Sequence, residues 1–182
     1  YAPYNWTQPN NKNGAVPIFE SSDYANGYDV IMAKRIADEL NLKLEIVKLD
    51  WDSLVPALQS GTVDALIAGQ STTANRKKMV DFTEPYYYAS VVVLVNADSK
   101  FANAKGISDL SHASATSQLN TFWYDIALPQ IPNVNKLSAQ ESASTMLAAL
   151  DAKKVDLVVT DLPTAKSALA AYKNFKILDF TG

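Results

Sequence analysis

One segment of this chain occurs twice. Residues 54–69 read LVPALQSGTVDALIAG, and residues 146–161 read MLAALDAKKVDLVVTD. At a constant offset of 92 positions the copies align Ala57 with Ala149, Leu58 with Leu150, Val63 with Val155 and Asp64 with Asp156. They also align Leu66 with Val158 and Ile67 with Val159. Each copy reads as the end of an amphipathic helix, a short polar turn, then Val-Asp and an apolar run of strand length. Two such copies predict two similar α/β lobes with a cleft for a small molecule. The predicted strands end at Gly69 and Asp161, and ligands of open α/β sheets gather at strand carboxyl ends.

The alternation of strand and helix patterns extends beyond the repeat. Asp29–Leu40 places Val30, Ile31, Ala33, Ile36, Ala37 and Leu40 at helical spacing, with Lys34, Arg35, Asp38 and Glu39 outward. LKLEIVKL (42–49) alternates like a strand, and a helix is expected around 74–79 with Thr73 as its cap. Residues 8–26 read as a long surface loop with a small hairpin. Further on, strands are expected at 91–95, 113–117, 133–136, 155–160 and 175–180. Helices are expected from about Thr121 and over 140–150 and 164–172. This order predicts mostly parallel sheets. Lobe one is assigned to 1–88 and lobe two to 89–182, with a hinge near 86–90. Lobe one is expected to lack a first strand and a closing segment, because Tyr1-Ala-Pro-Tyr4 opens abruptly and the chain stops after the last strand.

Composition excludes several functions. Net charge is −3, which gives no electrostatic case for nucleic acid or an anionic membrane. No apolar run approaches the ~18 residues of a membrane-spanning helix. Cysteine is absent, which removes disulfides, thiol catalysis and thiolate metal sites. His112 is the only histidine and lies in a Ser/Ala-rich loop, so no metal cluster or catalytic triad is expected. No P-loop or nucleophile elbow appears.

Five segments carry a resemblance: YAPYNW, GYDVIMAKRIADEL, WDSLVPALQSGTVD, AGQSTTANRKKMVDFTEPYY and VDLVVTDLP. In this order they resemble the amino-acid-binding proteins of bacterial ABC importers, family 3 of the periplasmic solute-binding proteins. The loop containing GAVP looks most like Gram-positive members. The resemblance implies an α/β fold of the periplasmic-binding-protein type (type II), whose two lobes close on a ligand cleft by hinge motion. It implies a polar amino acid as ligand, delivered to an ABC permease in the membrane. A monomer without cofactor or enzymatic activity is expected. The location is extracytoplasmic after removal of a leader, as a cell-surface lipoprotein or in the periplasm.

The resemblance also distributes roles. A free amino acid offers an α-carboxylate, an α-ammonium and a side chain. Arg76, one turn after the first strand tip, suits the carboxylate, with Ser71 and Thr73 as donors beside it. Taken alone, Arg76 reads as readily as a solvated charge beside Lys77 and Lys78. Asp161 suits the ammonium, with the Gly69 carbonyl as a second acceptor, although Asp161 before Pro163 also reads as a helix cap. Tyr1 and Trp51 match the family's aromatic clamps for the ligand side chain, against a reading as core packing. Gln118, Asn120 and Thr121 align with a ligand-facing loop in which Leu119 stands for the usual glycine. Arginine, lysine and glutamine are the leading ligands. A sensory receptor domain on the same fold is one alternative. A cyclohexadienyl dehydratase-like enzyme, with Glu84 as general acid, is another.

Overall fold

The computed structural model describes residues 1–180, so the end of the expected lobe two, residues 181 and 182, lies outside the described residues. By its internal contacts the chain divides into a unit of residues 1–84 and a unit from Pro85 onward.

Unit one begins with a three-stranded ribbon where the sequence reads as a long loop with a small hairpin. Strands β1 (Trp6–Gln8) and β2 (Val16–Pro17) flank β3 (Tyr24–Asn26), all antiparallel. The Gln8 side-chain amide ties the intervening turn by donating to the carbonyls of Asn10 at 2.8 Å and Lys12 at 3.0 Å. Gly27 then redirects the chain with φ of 125°. A Cβ there would stand 2.2 Å from the Tyr4 carbonyl oxygen, so only glycine fits. Helix α1 (Tyr28–Glu39) follows, and it buries Val30, Ala33 and Ala37 as the spacing predicts. Ile31, Ile36 and Leu40, expected on the same face, are exposed instead. The buried positions recur at i, i+3 and i+7, a narrower stripe than the apolar pattern suggests. The short helix α2 (Leu54–Gln59) is preceded by a single 3₁₀ turn, Trp51–Ser53.

Two expected strands of unit one do not form. Residues 42–49 make a single bridge, Ile46 to Ile18, with the Phe19 N–H donating to the Ile46 carbonyl at 2.8 Å. Residues 63–68 make no strand at all, although the same pattern in the second copy does. The reason is pairing. A strand exists only where a neighbour takes up its backbone N–H and C=O groups, and among the described residues the first segment finds one such bridge and the second finds none. The expected helix at 74–79 is likewise reduced to a 3₁₀ turn, Arg76–Lys78.

Unit two holds a five-stranded sheet. Its strands are β4 (Val91–Asn96), β5 (Ser114–Thr116), β6 (Asn135–Lys136), β7 (Leu157–Asp161) and β8 (Phe175–Leu178), in the order β6-β5-β7-β4-β8. Helix α3 (Ala143–Asp151) precedes β7, and α4 (Leu162–Ala171) follows it. The expectation of a mostly parallel sheet holds for the direction of β5, β6, β7 and β8 and fails at β4. β5 is parallel to β6 and β7, but β4 runs antiparallel to both β7 and β8. The alternating element order is blind to the direction in which β4 joins the sheet.

Both faces of this sheet are covered. Val93, Val95, Leu157 and Val159 pack on one side with Leu110, Leu128 and Ile131. Val92, Leu94 and Val158 pack on the other with Met146, Leu150, Ala165 and Ala168. Burial on both sides explains why VVVLV and LVV read as continuous apolar runs. The helix expected from Thr121 is irregular, a π turn at Trp123–Ala127 and then a 3₁₀ turn at Leu128–Gln130 around Pro129.

The starts of β5 and β7 are clasped by Ser114 and Asp156. The Asp156 carboxylate Oδ2 accepts from both the backbone N–H and the hydroxyl of Ser114, each at 2.8 Å. In return the Asp156 N–H reaches the Ser114 Oγ at 3.0 Å and the Ser114 carbonyl at 2.9 Å. The repeated Val-Asp of the second copy is therefore a strand-pairing device. Its counterpart Asp64 in unit one is exposed.

Candidate functional site

In unit one the expected ligand-binding residues fall together around residues 69–76. Gly69 has φ of 59°, in the left-handed region. From Ser71 to Arg76 the chain folds into a tight turn held by its own polar groups. The Thr73 N–H donates to the Ser71 carbonyl at 3.0 Å, and the Arg76 N–H donates to the Thr73 hydroxyl at 3.2 Å. Thr73 thus braces the approach to the 3₁₀ turn, whose cap residue Asn75 makes no side-chain capping bond. The Arg76 guanidinium folds back on the turn and donates through Nη1 to the Ser71 carbonyl at 3.0 Å. Its Cζ lies 5.4 Å from the centre of the Trp51 ring. Arg76 is half-buried, unlike the exposed Lys77 and Lys78, so it does not behave as a freely solvated charge.

Aromatic rings complete this cluster. Tyr1 lies 6.4 Å from Trp51, tilted by 41°, and stacks on Tyr4 at 5.3 Å and 15°. Tyr4 is buried and is a residue the sequence reading missed, although the Tyr-Ala-Pro-Tyr spacing carried it. Both rings lie over Gly69. A Cβ on Gly69 would stand 3.2 Å from Cε1 of Tyr1 and 3.3 Å from Cγ of Tyr4. Gly69→Ala is therefore expected to weaken ligand binding and lower stability together. The left-handed backbone costs a residue with a Cβ roughly 1–2 kcal/mol, and the rings must also shift. Thermal unfolding and calorimetry on this variant check the expectation, and wild-type values in both would contradict it.

In unit two the expected residues lie at one edge of the sheet, where the parallel strands β5 and β7 both end. Ser117, just past β5, donates its hydroxyl to the Val159 carbonyl at 2.6 Å and fastens that edge. Gln118 is buried, and its backbone pairs with Gln140 in a parallel bridge. The Thr121 hydroxyl donates to the Gln118 carbonyl at 2.7 Å and accepts from the Tyr124 N–H at 3.3 Å, closing the loop onto the next turn. The loop's glycine-like residue is not Leu119. Asn120 carries the left-handed φ of 54°, a conformation asparagine tolerates, and Leu119 simply donates its N–H to the Gln140 carbonyl at 2.8 Å.

Asp161 closes β7 and is buried to 1% exposure. It caps α4, with Oδ1 accepting from the Thr164 N–H at 2.8 Å and Oδ2 from the Thr164 hydroxyl at 3.0 Å. The capping reading is thus realised. A carboxylate has about four acceptor positions, and the two bonds of this cap fall on different oxygens. β4 begins at the same edge, where Val91 pairs with Asp161 and the Ser90 carbonyl accepts from the Leu162 N–H.

Comparison with known proteins decides the family. Residues 14–140 match the bacterial extracellular solute-binding proteins, family 3. The chain belongs to this family. As a family-3 protein it is 30% identical to a probable histidine-binding protein of Campylobacter jejuni, over 84% of this chain and 58% of that one. It is also 30% identical to a glutamine-binding protein of Geobacillus stearothermophilus, over 85% and 59% respectively. The family-3 chain thus spans a little over half the length of these curated relatives. Among solved structures, the substrate-binding protein of an amino acid ABC transporter aligns with a TM-score of 0.82 and 35% identity, over 98% of this chain and 73% of that one. An arginine-bound, Gly52Ala variant of ArgBP from T. maritima aligns with a TM-score of 0.79 and 28% identity, over 97% and 76%. The fold class is accordingly α/β, of the type II periplasmic-binding-protein kind. Among the described residues, no group of three or more His, Cys, Asp or Glu side chains is placed to hold a metal ion. No helix among them is long and apolar enough to cross a membrane.

Proposed function

We propose that this chain binds a free polar amino acid outside the cytoplasmic membrane and delivers it to the permease of an ABC importer. The observation that carries the reading is Arg76, a guanidinium held by the Ser71 carbonyl and the Trp51 ring at the end of the Gly69–Arg76 segment. In this reading Arg76 receives the α-carboxylate through its planar fork, and Ser71 and Thr73 stand beside it. Asp161 receives the α-ammonium, with Gly69 offering its carbonyl. Gln118, Asn120 and Thr121 form the ligand-facing loop. Arginine, lysine and glutamine are the candidate ligands. The names of its relatives support that class, since they include histidine-, arginine- and glutamine-binding proteins.

The protein acts as a monomer in this reading, anchored as a lipoprotein or free in the periplasm. It binds without turnover. Glu84, the side chain considered for a general acid, is exposed rather than set in a water-excluding environment. A thermal-shift screen of the common amino acids tests the proposal. At a ligand concentration 100 times Kd, a specific ligand stabilises by about 2.7 kcal/mol, so a polar amino acid is expected to raise Tm by several degrees. No shift with any of the twenty would overturn it.

A further inference from the structure

In unit two the carboxylate of Asp161 is gripped by one residue, Thr164. Asp161 ends β7 in an extended conformation and precedes Leu162, Pro163 and Thr164, the first three residues of α4. A capping side chain ordinarily accepts from the N–H of the second or third helical residue. Pro163 has no N–H, so the second position supplies no donor. Thr164 supplies two. Its N–H reaches Oδ1 at 2.8 Å and its hydroxyl reaches Oδ2 at 3.0 Å. Both residues are buried, Asp161 to 1% exposure and Thr164 to 2%.

The helix on the other side of β7 shows that a cap does not require this use of threonine. α3 has the same spacing, with Ser142 as the cap and Thr145 as the third residue. There the Ser142 Oγ accepts from the Thr145 N–H at 3.1 Å, and the Thr145 hydroxyl accepts from the Ser142 N–H at 3.1 Å. In such a capping box the third side chain serves the backbone of the helix end. At α4 the cap residue belongs to the β7 ladder, where Asp161 pairs with Val91. The Thr164 hydroxyl turns to the carboxylate instead.

We propose that Thr164 is a positioning residue for ammonium binding, its hydroxyl setting the plane of the Asp161 carboxylate. The proposal rests on the reading of Asp161 as the ammonium receiver. The last torsion of an aspartate is broad and roughly two-fold, so one bond to one oxygen leaves the carboxylate free to turn. A bond to each oxygen, both from Thr164, fixes it. A carboxylate already in plane meets an ammonium without losing that freedom on binding. The α-ammonium is common to every free amino acid, so Thr164 contributes to the affinity of all of them alike.

The test is calorimetry with L-arginine, L-lysine and L-glutamine. The proteins are wild type, Thr164→Val, Thr164→Ala, Thr164→Ser, Ser142→Ala and Asp161→Asn, each checked for folding by thermal unfolding without ligand. Thr164→Val keeps the shape and the backbone N–H but removes the hydroxyl, and Thr164→Ala removes it without placing a methyl group against the carboxylate. Both are expected to weaken the amino acids that bind by about 3- to 30-fold, part of the worth of a hydrogen bond to a charged group. Thr164→Ser, which keeps the hydroxyl, is expected to restore most of that loss. Ser142→Ala removes the cap of α3 and is expected to lower Tm while leaving affinity unchanged. Wild-type affinity in folded Thr164→Val or Thr164→Ala would overturn the proposal. Thr164→Ser binding as weakly as Thr164→Val would overturn it too, by tracing the loss to packing. An equal affinity loss in Ser142→Ala would do the same, by tracing it to helix stability. The underlying reading fails separately, through Asp161→Asn binding as wild type does.

Discussion

Arg76→Ala is expected to abolish amino-acid binding and leave the fold largely intact. Removing one partner of a desolvated, hydrogen-bonded charge pair costs roughly 2–5 kcal/mol, which is about 30- to 4000-fold in affinity. The loss exceeds the worth of one contact because the ligand's carboxylate would be left in the site without its counter-charge. The stability cost should be small. Arg76 is half-buried, and its side-chain contacts include a bond to the Ser71 carbonyl and an approach to the Trp51 ring. Those contacts lie within a single turn and a neighbouring ring rather than in a core. Calorimetry of the folded variant checks the expectation. Wild-type affinity there would return Arg76 to the class of surface cations.

Asp161→Asn separates the cap of α4 from the ammonium-binding role proposed for that residue. Asparagine is as good an N-cap as aspartate, so its oxygen can still accept from the Thr164 N–H. Its amide can donate to the Thr164 hydroxyl, which now accepts in place of donating. What is lost is the charge. At a buried helix end such as this one that is worth up to about 2 kcal/mol, which sets the expected fall in stability. Facing an ammonium, a charge-assisted hydrogen bond is worth about 1.5–3 kcal/mol, so affinity should drop roughly 10- to 150-fold. Binding titrations and thermal unfolding on the same preparation decide between the duties. Normal binding with a much lower Tm would make Asp161 a helix cap alone.

Unit two was legible in the sequence because its strands are buried on both faces. Runs such as VVVLV and LVVTD have few alternatives once helices flank them, and both strands lie where the pattern puts them. Unit one was legible only in part. LKLEIVKL alternates as a strand should, but alternation states what a segment does beside a partner, and a local pattern is silent on whether the partner exists. The site followed the same division. Arg76 and Asp161 could be nominated as candidates because strand tips and helix starts are marked by Gly, Ser, Thr and Asp. In the 118–121 loop Leu119 stands where the family usually has glycine, but the left-handed residue is Asn120. Resemblance fixes the order of residues in a loop, whereas Asn120 takes φ of 54° because its short polar side chain tolerates it. The Trp51–Arg76 contact joins residues 25 positions apart, and no local pattern announces it.

The clasp between Ser114 and Asp156 gives β5 and β7 a common origin. From that shared zero the strands run in parallel, each residue advancing about 3.3 Å and turning its side chain to the opposite face. Ser117 and Asp161 therefore hold their places by counting. Losing one residue from 157–160 would draw Asp161 back by about one strand step and reverse the face it presents, while Ser114 and Asp156 still gripped each other. Changing a side chain in those stretches alters chemistry at a fixed address. Changing their number moves the address itself. This edge of the sheet can thus diversify by substitution, while insertions and deletions are confined to the loops beyond it.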